Sequence, residues 1–511
     1  METLLYFSIL LPLLFVLLLL KTLKSQRKIK AGYNLPPGPP KLPIIGNMHN
    51  LRGEHPHRRL AALAKTYGPI FHLKLGEIDV IVVTSPALAA EVTRTHDLNF
   101  ASRPQFMGTK VILYDGGDLV FAPYGKLWAQ LRKICTVELF SQKRVKNFGL
   151  MMEEEGHNMV EKVQNMSTVN GSPVNITNLL LSIASTTVSR AAFGKDCAQH
   201  ERLFTGVKKT FKYLSGFDLA DLYPSLTFLA DINGMRRRLE RVRRDLDGTL
   251  NEIFEEHMER AKRRDEDSNY IADHDVLDDE DLVDVMLRLK TSGELEDFIT
   301  MDNIKGVILD LILGGTETTA AIMEWAMTEL IRHPEIMRKA QEEVRKALNG
   351  KRKIEEKDIS NLPYLNMIIK ETLRARPPGP FLVPRHSLET IKLGGYTVPA
   401  GSRVMINAWA IMRDKTCWDD AESFKPERFE GVDMADIRDS FIPFGGGRRI
   451  CPGINFGMRS MENVLANLLY HFDWKLPGGK KPEEVDVEEA FGLSLIRKND
   501  LVLVATPYKY I

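Results

Sequence analysis

The chain opens with an apolar run from Leu4 to Leu20, interrupted only by Ser8 and Pro12, and Lys21, Lys24, Arg27, Lys28 and Lys30 follow it. About 17 apolar residues is the lower limit for a bilayer-crossing helix. A cleaved signal peptide carries its positive charge ahead of the apolar run. Here Glu2 precedes the run and the basic cluster follows it. Residues 1–20 therefore read as a retained signal anchor, a cleaved peptide being the alternative, and positive-inside logic puts everything after Lys21 in the cytosol. Leu35-Pro36-Pro37-Gly38-Pro39-Pro40 is a stiff extended hinge, because proline fixes φ. Residues 21–45 thus form a basic linker and proline-rich hinge ahead of one large domain over residues 46–511. Phe71, Leu73 and Leu75 alternate with polar or smaller neighbours, and Asp79 to Thr84 is rich in β-branched residues. With Gly76-Glu77 between them they predict a hairpin. From Ser85 onward helical patterns dominate, with long charged amphipathic segments around Val207 to Arg264. Asp265 to Asp281 is acidic and turn-rich and reads as an exposed loop. A second short β region is expected from Ile391 to Val404, where Gly394-Gly395 and Pro399-Ala400-Gly401 mark turns. The fold class is mainly α with small β-sheets.

Composition narrows this little. The 511 residues allow one large core or roughly two to four average domains. No internal repeat or linker follows the hinge, which favours one. A net charge of +1 gives no general attraction to nucleic acid. Cys135, Cys197, Cys417 and Cys451 are too few and scattered for a disulfide scaffold or zinc cluster. A cytosolic domain keeps them reduced, and the sequons at Asn165, Asn170 and Asn175 never meet the glycosylating machinery.

Candidate chemistry concentrates in Phe444-Gly445-Gly446-Gly447-Arg448-Arg449-Ile450-Cys451-Pro452-Gly453. No lysine followed by Ser/Thr is present, so a P-loop fails. Ile450 stands where a dinucleotide fingerprint needs its third glycine. What remains is a cysteine in a tight loop ahead of an apolar helical segment from Asn455 to Phe472. Loop amides and a helix amino terminus lower a thiol pKa, and glycines let backbone pass close under a flat cofactor. Taken alone, these features leave a structural cysteine as the better reading. Gly314-Gly315-Thr316-Glu317-Thr318-Thr319 interrupts a helix predicted from Met301 to Arg332. Two adjacent glycines cost about 2 kcal/mol against alanine, so the pair marks either close helix packing or a functional groove. Glu371 and Arg374 form an i,i+3 pair, ordinarily a surface contact worth under about 1 kcal/mol. Trp128 and Arg132 share one helix face. His386, beside Arg385, suits a local hydrogen bond better than metal ligation.

The spacing Phe444, Gly447, Arg449, Cys451, Gly453 resembles the haem-binding loop of the cytochrome P-450 family at every defining place, and the resemblance runs over nearly the whole chain. It implies a haem-thiolate monooxygenase with the P-450 fold. Cys451 would be the axial thiolate of heme b, pushing electron density onto iron, and Phe444 would shield the sulfur. Trp128, Arg132, Arg385 and Arg449 would meet the propionates, with Gly315 and Gly453 also against the haem. Glu317 and Thr318 match the acid–alcohol pair that feeds protons and organises water. Glu371, Arg374 and Arg428 match a buried structural network on the proximal side. The substrate would touch the loop from Phe106 to Phe121 including Val111, then Asp310, Leu311, Gly314, Phe381, Leu382, Val383 and Leu493. Asp310 would bind a substrate hydroxyl or amine, or make a structural hydrogen bond within its helix; the latter is favoured.

No flavin or nicotinamide pattern appears, so the resemblance also implies an NADPH-cytochrome P-450 reductase at the endoplasmic reticulum membrane. Lys126, Arg132, Lys133, Arg448 and Arg459 are its candidate contacts. The Leu309-Asp310 pair and the turn Pro377-Pro378-Gly379-Pro380 resemble the plant microsomal clade that oxidises terpenoids and other specialised metabolites. A lipophilic terpenoid and O2 are the expected substrates, with an alkaloid or phenylpropanoid as the alternative. A haem-thiolate isomerase or dehydratase working without reductase, and a silent haem-binding scaffold, are the rival activities; an intact Thr318 and the membrane anchor speak against the first, and an intact Glu317 and Thr318 against the second.

Overall fold

The computed structural model describes residues 33–168, 172–194, 197–210, 213, 214, 216, 218–266, 280–351, 353–359, 361–492 and 494–509. The anchor, most of the basic linker, most of the acidic segment and Leu493 lie outside the described residues. The expected hairpin forms from β1 (Ile70–Leu75) and β2 (Ile78–Val83), with Leu75 opposite Ile78. Its turn uses Gly76 at φ 59°, a left-handed value that glycine adopts without a Cβ penalty. The later β region forms a hairpin of Ile391–Leu393 with Tyr396–Val398; β3 (Arg385–His386) precedes it and β4 (Arg403–Ile406) closes it, and the main sheet runs β1-β2-β4-β3 with β2 and β4 parallel. A separate hairpin joins β5 (Glu489–Phe491) to β6 (Leu495–Arg497).

Helices make up most of the rest. Those that position the site are α1 (Lys126–Ile134), α2 (Ile176–Phe193), α3 (Met235–Glu266), α4 (Met301–Arg332), α5 (Pro363–Ala375) and α6 (Ile454–His471). α4 begins at a capping box: Asn303 N donates to the Thr300 hydroxyl at 3.3 Å and Thr300 N donates to Asn303 Oδ1 at 2.8 Å. It stops at His333, one residue before Pro334, as a proline requires. α4 is long and apolar enough to cross a membrane, yet 78% of its most apolar window is buried in protein. Its apolarity serves the core.

Two apolar clusters flank α4. One takes Ile304 to Leu313 together with Phe106, Leu131 and Phe456; the other takes Ala320 to Ile331 together with Leu365, Leu465 and Leu469. The polar segment Gly314–Thr319 lies between them. Two features differ from what the sequence predicts. The groove does not break α4, whose helical structure continues through both glycines. The acidic segment also ends in the interior: Asp281 is buried, caps the helix Leu282–Thr291 through Asp284 N at 2.9 Å, and pairs with His257 at 2.9 Å.

Candidate active site

The cysteine loop is shaped by what it must pass. A methyl group on Gly447 would lie 2.0 Å from Thr93 O and 2.5 Å from Asp97 Oδ1, and φ there is 67°. Only glycine fits. Cys451 N donates to Phe444 O at 3.0 Å, closing the turn, and Arg132 from α1 donates to Ile450 O at 2.7 Å. The Cys451 side chain is accessible, yet burial pushes its thiol pKa up, with the Gly453 amide and Arg132 pulling it down. An accessible atom so crowded by protein lines an internal hollow, not the outer surface.

Around this loop stand three buried guanidiniums: Arg103, Arg385 and Arg449. Arg449 donates to Ala101 O at 2.6 Å, Leu119 O at 3.2 Å and Ala122 O at 2.5 Å, and lies 4.2 Å from the Trp128 ring centre. Arg385 reaches Gly446 O at 2.6 Å and Asp97 at 3.4 Å. Arg103 bonds Val383 O at 2.6 Å and Pro384 O at 3.0 Å. Burial, and then the neighbouring Arg385 charge, pull Arg449 down to about 9; burial and the other two cations pull Arg103 down as well. Asp97 and Asp118 are the acids that oppose these shifts.

On α4 the two glycines separate the two readings of that motif. Among the described residues Gly314 has nothing within 4 Å in its side-chain direction, whereas a methyl on Gly315 would meet Val188 Cγ2 of α2 at 2.8 Å. Gly315 is therefore a helix-packing residue, which corrects its assignment to the haem. Burial pushes the Glu317 carboxyl above its usual range, against the hydrogen-bonded Ser494 hydroxyl and the Lys208 charge. The Thr318 hydroxyl donates to Gly314 O at 2.5 Å.

Asp310 makes structural hydrogen bonds, the role favoured for it, but not within its own helix. Its Oδ2 accepts from Leu119 N at 2.7 Å and Val120 N at 2.9 Å, so its hydrogen bonds leave the helix and hold a loop. It is buried and already occupied, which removes it from the substrate-contact set. Phe381 leaves that set too. Its ring packs edge-on against Phe491 at 5.7 Å and His57 at 6.5 Å in a separate cluster beneath the sheet. Phe106, Val111, Leu311 and Val383 do share one apolar cluster, and Leu382 lies 3.9 Å from the side-chain direction of Gly445. Leu493 lies outside the described residues. His386 binds through its backbone, donating to Ser102 O at 3.0 Å.

Glu371 and Arg374, both fully buried in α5, pair bidentately at 2.7 and 2.8 Å. Arg374 also donates to Met412 O and Ala421 O, each at 2.9 Å, and Arg428 reaches Glu371 at 3.3 Å. What a sequence reader takes for a surface pair is the centre of a buried network.

A family model described as Cytochrome P450 matches residues 36–504. The chain belongs to the cytochrome P450 family. This P450 is 44% identical over 504 residues to premnaspirodiene oxygenase of Hyoscyamus muticus, covering 98% of each chain. It is 44% identical over 477 residues to costunolide synthase of Lactuca sativa, covering 93% of this chain and 94% of that one. A solved zebrafish cytochrome P450 with abiraterone superposes with a TM-score of 0.73 at 25% identity, covering 89% of this chain and 100% of that one. The P450 is a haem-thiolate monooxygenase. Sequence reasoning missed Asp97, Arg103 and Asp118, whose partners are distant in the chain. The available signal was a carboxylate, Asp118, directly ahead of the apolar run Leu119-Val120-Phe121-Ala122. A wide cleft of about 950 Å³, lined by Arg58, Glu329, Arg376, Arg413 and Glu489, touches none of the residues above and carries no part of this chemistry.

Proposed function

We propose that this P450 inserts one oxygen atom from O2 into an apolar terpenoid, with Cys451 as the axial ligand of heme b and electrons from an NADPH-dependent reductase on the endoplasmic reticulum membrane. The observation that carries the haem assignment is the surplus of buried positive charge at Arg103, Arg385 and Arg449. Buried cations need counter-charge, and the two propionates of a haem supply it beside a glycine loop that leaves room for a flat ring. Trp128 supports Arg449 from one face, and Arg132 fixes the loop through Ile450 O. Haem, when bound, supplies the dioxygen chemistry.

The protein's own groups handle protons and exclusion of water. Glu317, with its raised pKa, gives and takes protons nearer neutrality than an ordinary glutamate. Thr318 spends its proton on Gly314 O, leaving its oxygen lone pairs to accept a bond from water or ligand. Leu311, Val111 and Val383 give an apolar wall that suits a hydrocarbon-rich substrate. The activities for which the two plant relatives are named support the terpenoid class. For the reductase, Lys126 and Lys133 are exposed on α1. Arg132, Arg448 and Arg459 are engaged by Ile450 O, Asp97 and Glu356. The docking charge therefore falls chiefly on the two lysines.

Two measurements test this. The reduced, carbon-monoxide-bound protein is expected to give the red-shifted Soret band of thiolate ligation, and Cys451→Ala to abolish it. Microsomes holding the P450 and a reductase are then offered sesquiterpenes, diterpenes and alkaloids with and without NADPH. Oxygenated terpenoids formed only with both partners support the proposal. Turnover without reductase, or of alkaloids alone, overturns it.

A further inference from the structure

We propose that Asp118 and Asp310 share one proton as a carboxyl clasp that locks the loop Gly117–Ala122 to α4 and so fixes the shape of the substrate pocket. The inference rests on the haem-thiolate reading and deepens it. That loop has no backbone ladder of its own. Side chains satisfy its peptides instead. Asn303 donates to Gly117 O at 2.9 Å, Asp310 accepts from Leu119 N and Val120 N at 2.7 and 2.9 Å, and Asp118 accepts from Phe121 N at 2.5 Å. Arg103 and Arg449 take the outward carbonyls, Val120 O at 3.1 Å and Leu119 O at 3.2 Å. The Leu119 peptide alone thus links the cysteine loop to α4, through Arg449 on its carbonyl and Asp310 on its amide. Close approach is built in: a methyl on Gly306 would sit 3.3 Å from Asp118 Cα.

The proton follows from an orphan. Asp118 Oδ2 is buried with no donor on it, and the Asp310 carboxyl, seated on the amides of the next two residues, lies beside it. Two carboxyls can hydrogen-bond only if one is protonated. Burial raises both carboxyls above the usual range, and the Asp118 charge adds to the rise at Asp310. Arg449 and Arg103 face the pair from the cysteine loop and the segment ahead of the Phe106 loop, and the Cys135 thiol faces it from the end of α1. Neither guanidinium donates to these carboxyls; both are spent on carbonyls. The loop carries Phe121, edge-on to Phe106 at 6.1 Å, and Val120 against the cluster that holds Leu311. Loop position and pocket shape therefore move together.

The test uses the haem-loaded enzyme and ligands that need no knowledge of the substrate. Affinities for 1-phenylimidazole and 4-phenylimidazole are read from the haem spectrum, and their ratio reports pocket shape. Asp310→Ala is expected to change that ratio by about tenfold, the scale of one buried hydrogen bond lost. It also speeds hydrogen exchange in the peptide spanning 117–122. Asp310→Asn, whose amide supplies a donor in place of the shared proton, restores both. Asp118→Ala repeats the effect and Asp118→Asn rescues it, which decides the matter if Asp310→Ala fails to load haem. In the native enzyme the loop peptide's exchange rises with pH beyond the intrinsic rate, and Asp118→Asn removes that excess. An unchanged ratio with unchanged exchange in both alanine variants overturns the clasp. So does an equal loss of affinity for both ligands, which means that Asp310 binds ligand directly. Absence of the thiolate Soret band in the native protein sinks the haem reading instead, so the two failures are distinct.

Discussion

One added methyl group separates the two adjacent glycines of α4. At Gly315 the methyl lands 2.8 Å from Val188 Cγ2, with Cγ1 at 3.6 Å and Cβ at 3.9 Å behind it. Val188 is buried within α2, where a β-branched side chain has one strongly preferred rotamer and cannot swing clear. Overpacking of this kind costs about 1–3 kcal/mol, and alanine returns about 1 kcal/mol of helix propensity over glycine. Gly315→Ala is thus expected to be neutral to about 2 kcal/mol destabilising. At Gly314 nothing among the described residues lies within 4 Å, so the propensity gain stands alone and Gly314→Ala stabilises by about 1 kcal/mol. Its methyl enters the hollow and weakens phenylimidazole binding. Urea unfolding of the haem-loaded enzyme, followed by loss of the thiolate Soret band, measures both variants. The double change Gly315→Ala with Val188→Ala isolates the contact, with an expected coupling of about 1–3 kcal/mol. Equal stabilisation by both single alanines, or a Gly315→Ala penalty that survives Val188→Ala, would refute the argument.

Glu371→Gln strands Arg374 and Arg428 in the interior; a loss of about 3–5 kcal/mol is expected, read as a lower thermal midpoint and faster haem release. Glu489 is held at about 2: burial raises it, but the His57 ring nitrogen at 3.3 Å and the Arg376 and Arg58 charges outweigh that. Because its folded pKa is depressed, its stabilisation of about 3 kcal/mol is present above about pH 4.5 and is lost as pH falls through about 2. Glu489→Gln should flatten that part of the stability–pH curve. Burial pushes the Cys135 thiol up to about 12 while Cys417 is exposed, so maleimide at neutral pH should label Cys417 and spare Cys135, as mass spectrometry can read.

What could be read from sequence was what the chain encodes locally. α4 has the expected bounds because its start is a Thr300–Asn303 box and its stop is Pro334, both written within a few residues. The cysteine loop was legible for the same reason: its glycines, arginines and thiol are contiguous. Phe381, Leu382 and Val383 show where this fails. Leu382 adopts φ 52°, which turns the chain so that Phe381 and Val383 enter different apolar clusters. No hydropathy pattern reports a backbone reversal at a leucine. Asp310 shows the deeper limit. A carboxylate in an apolar helix signals a buried partner, but the partner is the Leu119 amide, 191 residues away. The same loop peptide meets Arg449, another 330 residues from it. Sequence order separates these groups, and burial makes their pairing obligatory, since each orphaned amide or carboxyl would cost about 1–3 kcal/mol. The polar residues that position the pocket are therefore those that local pattern conceals most, and each can be found by asking which buried donor or acceptor still lacks its partner.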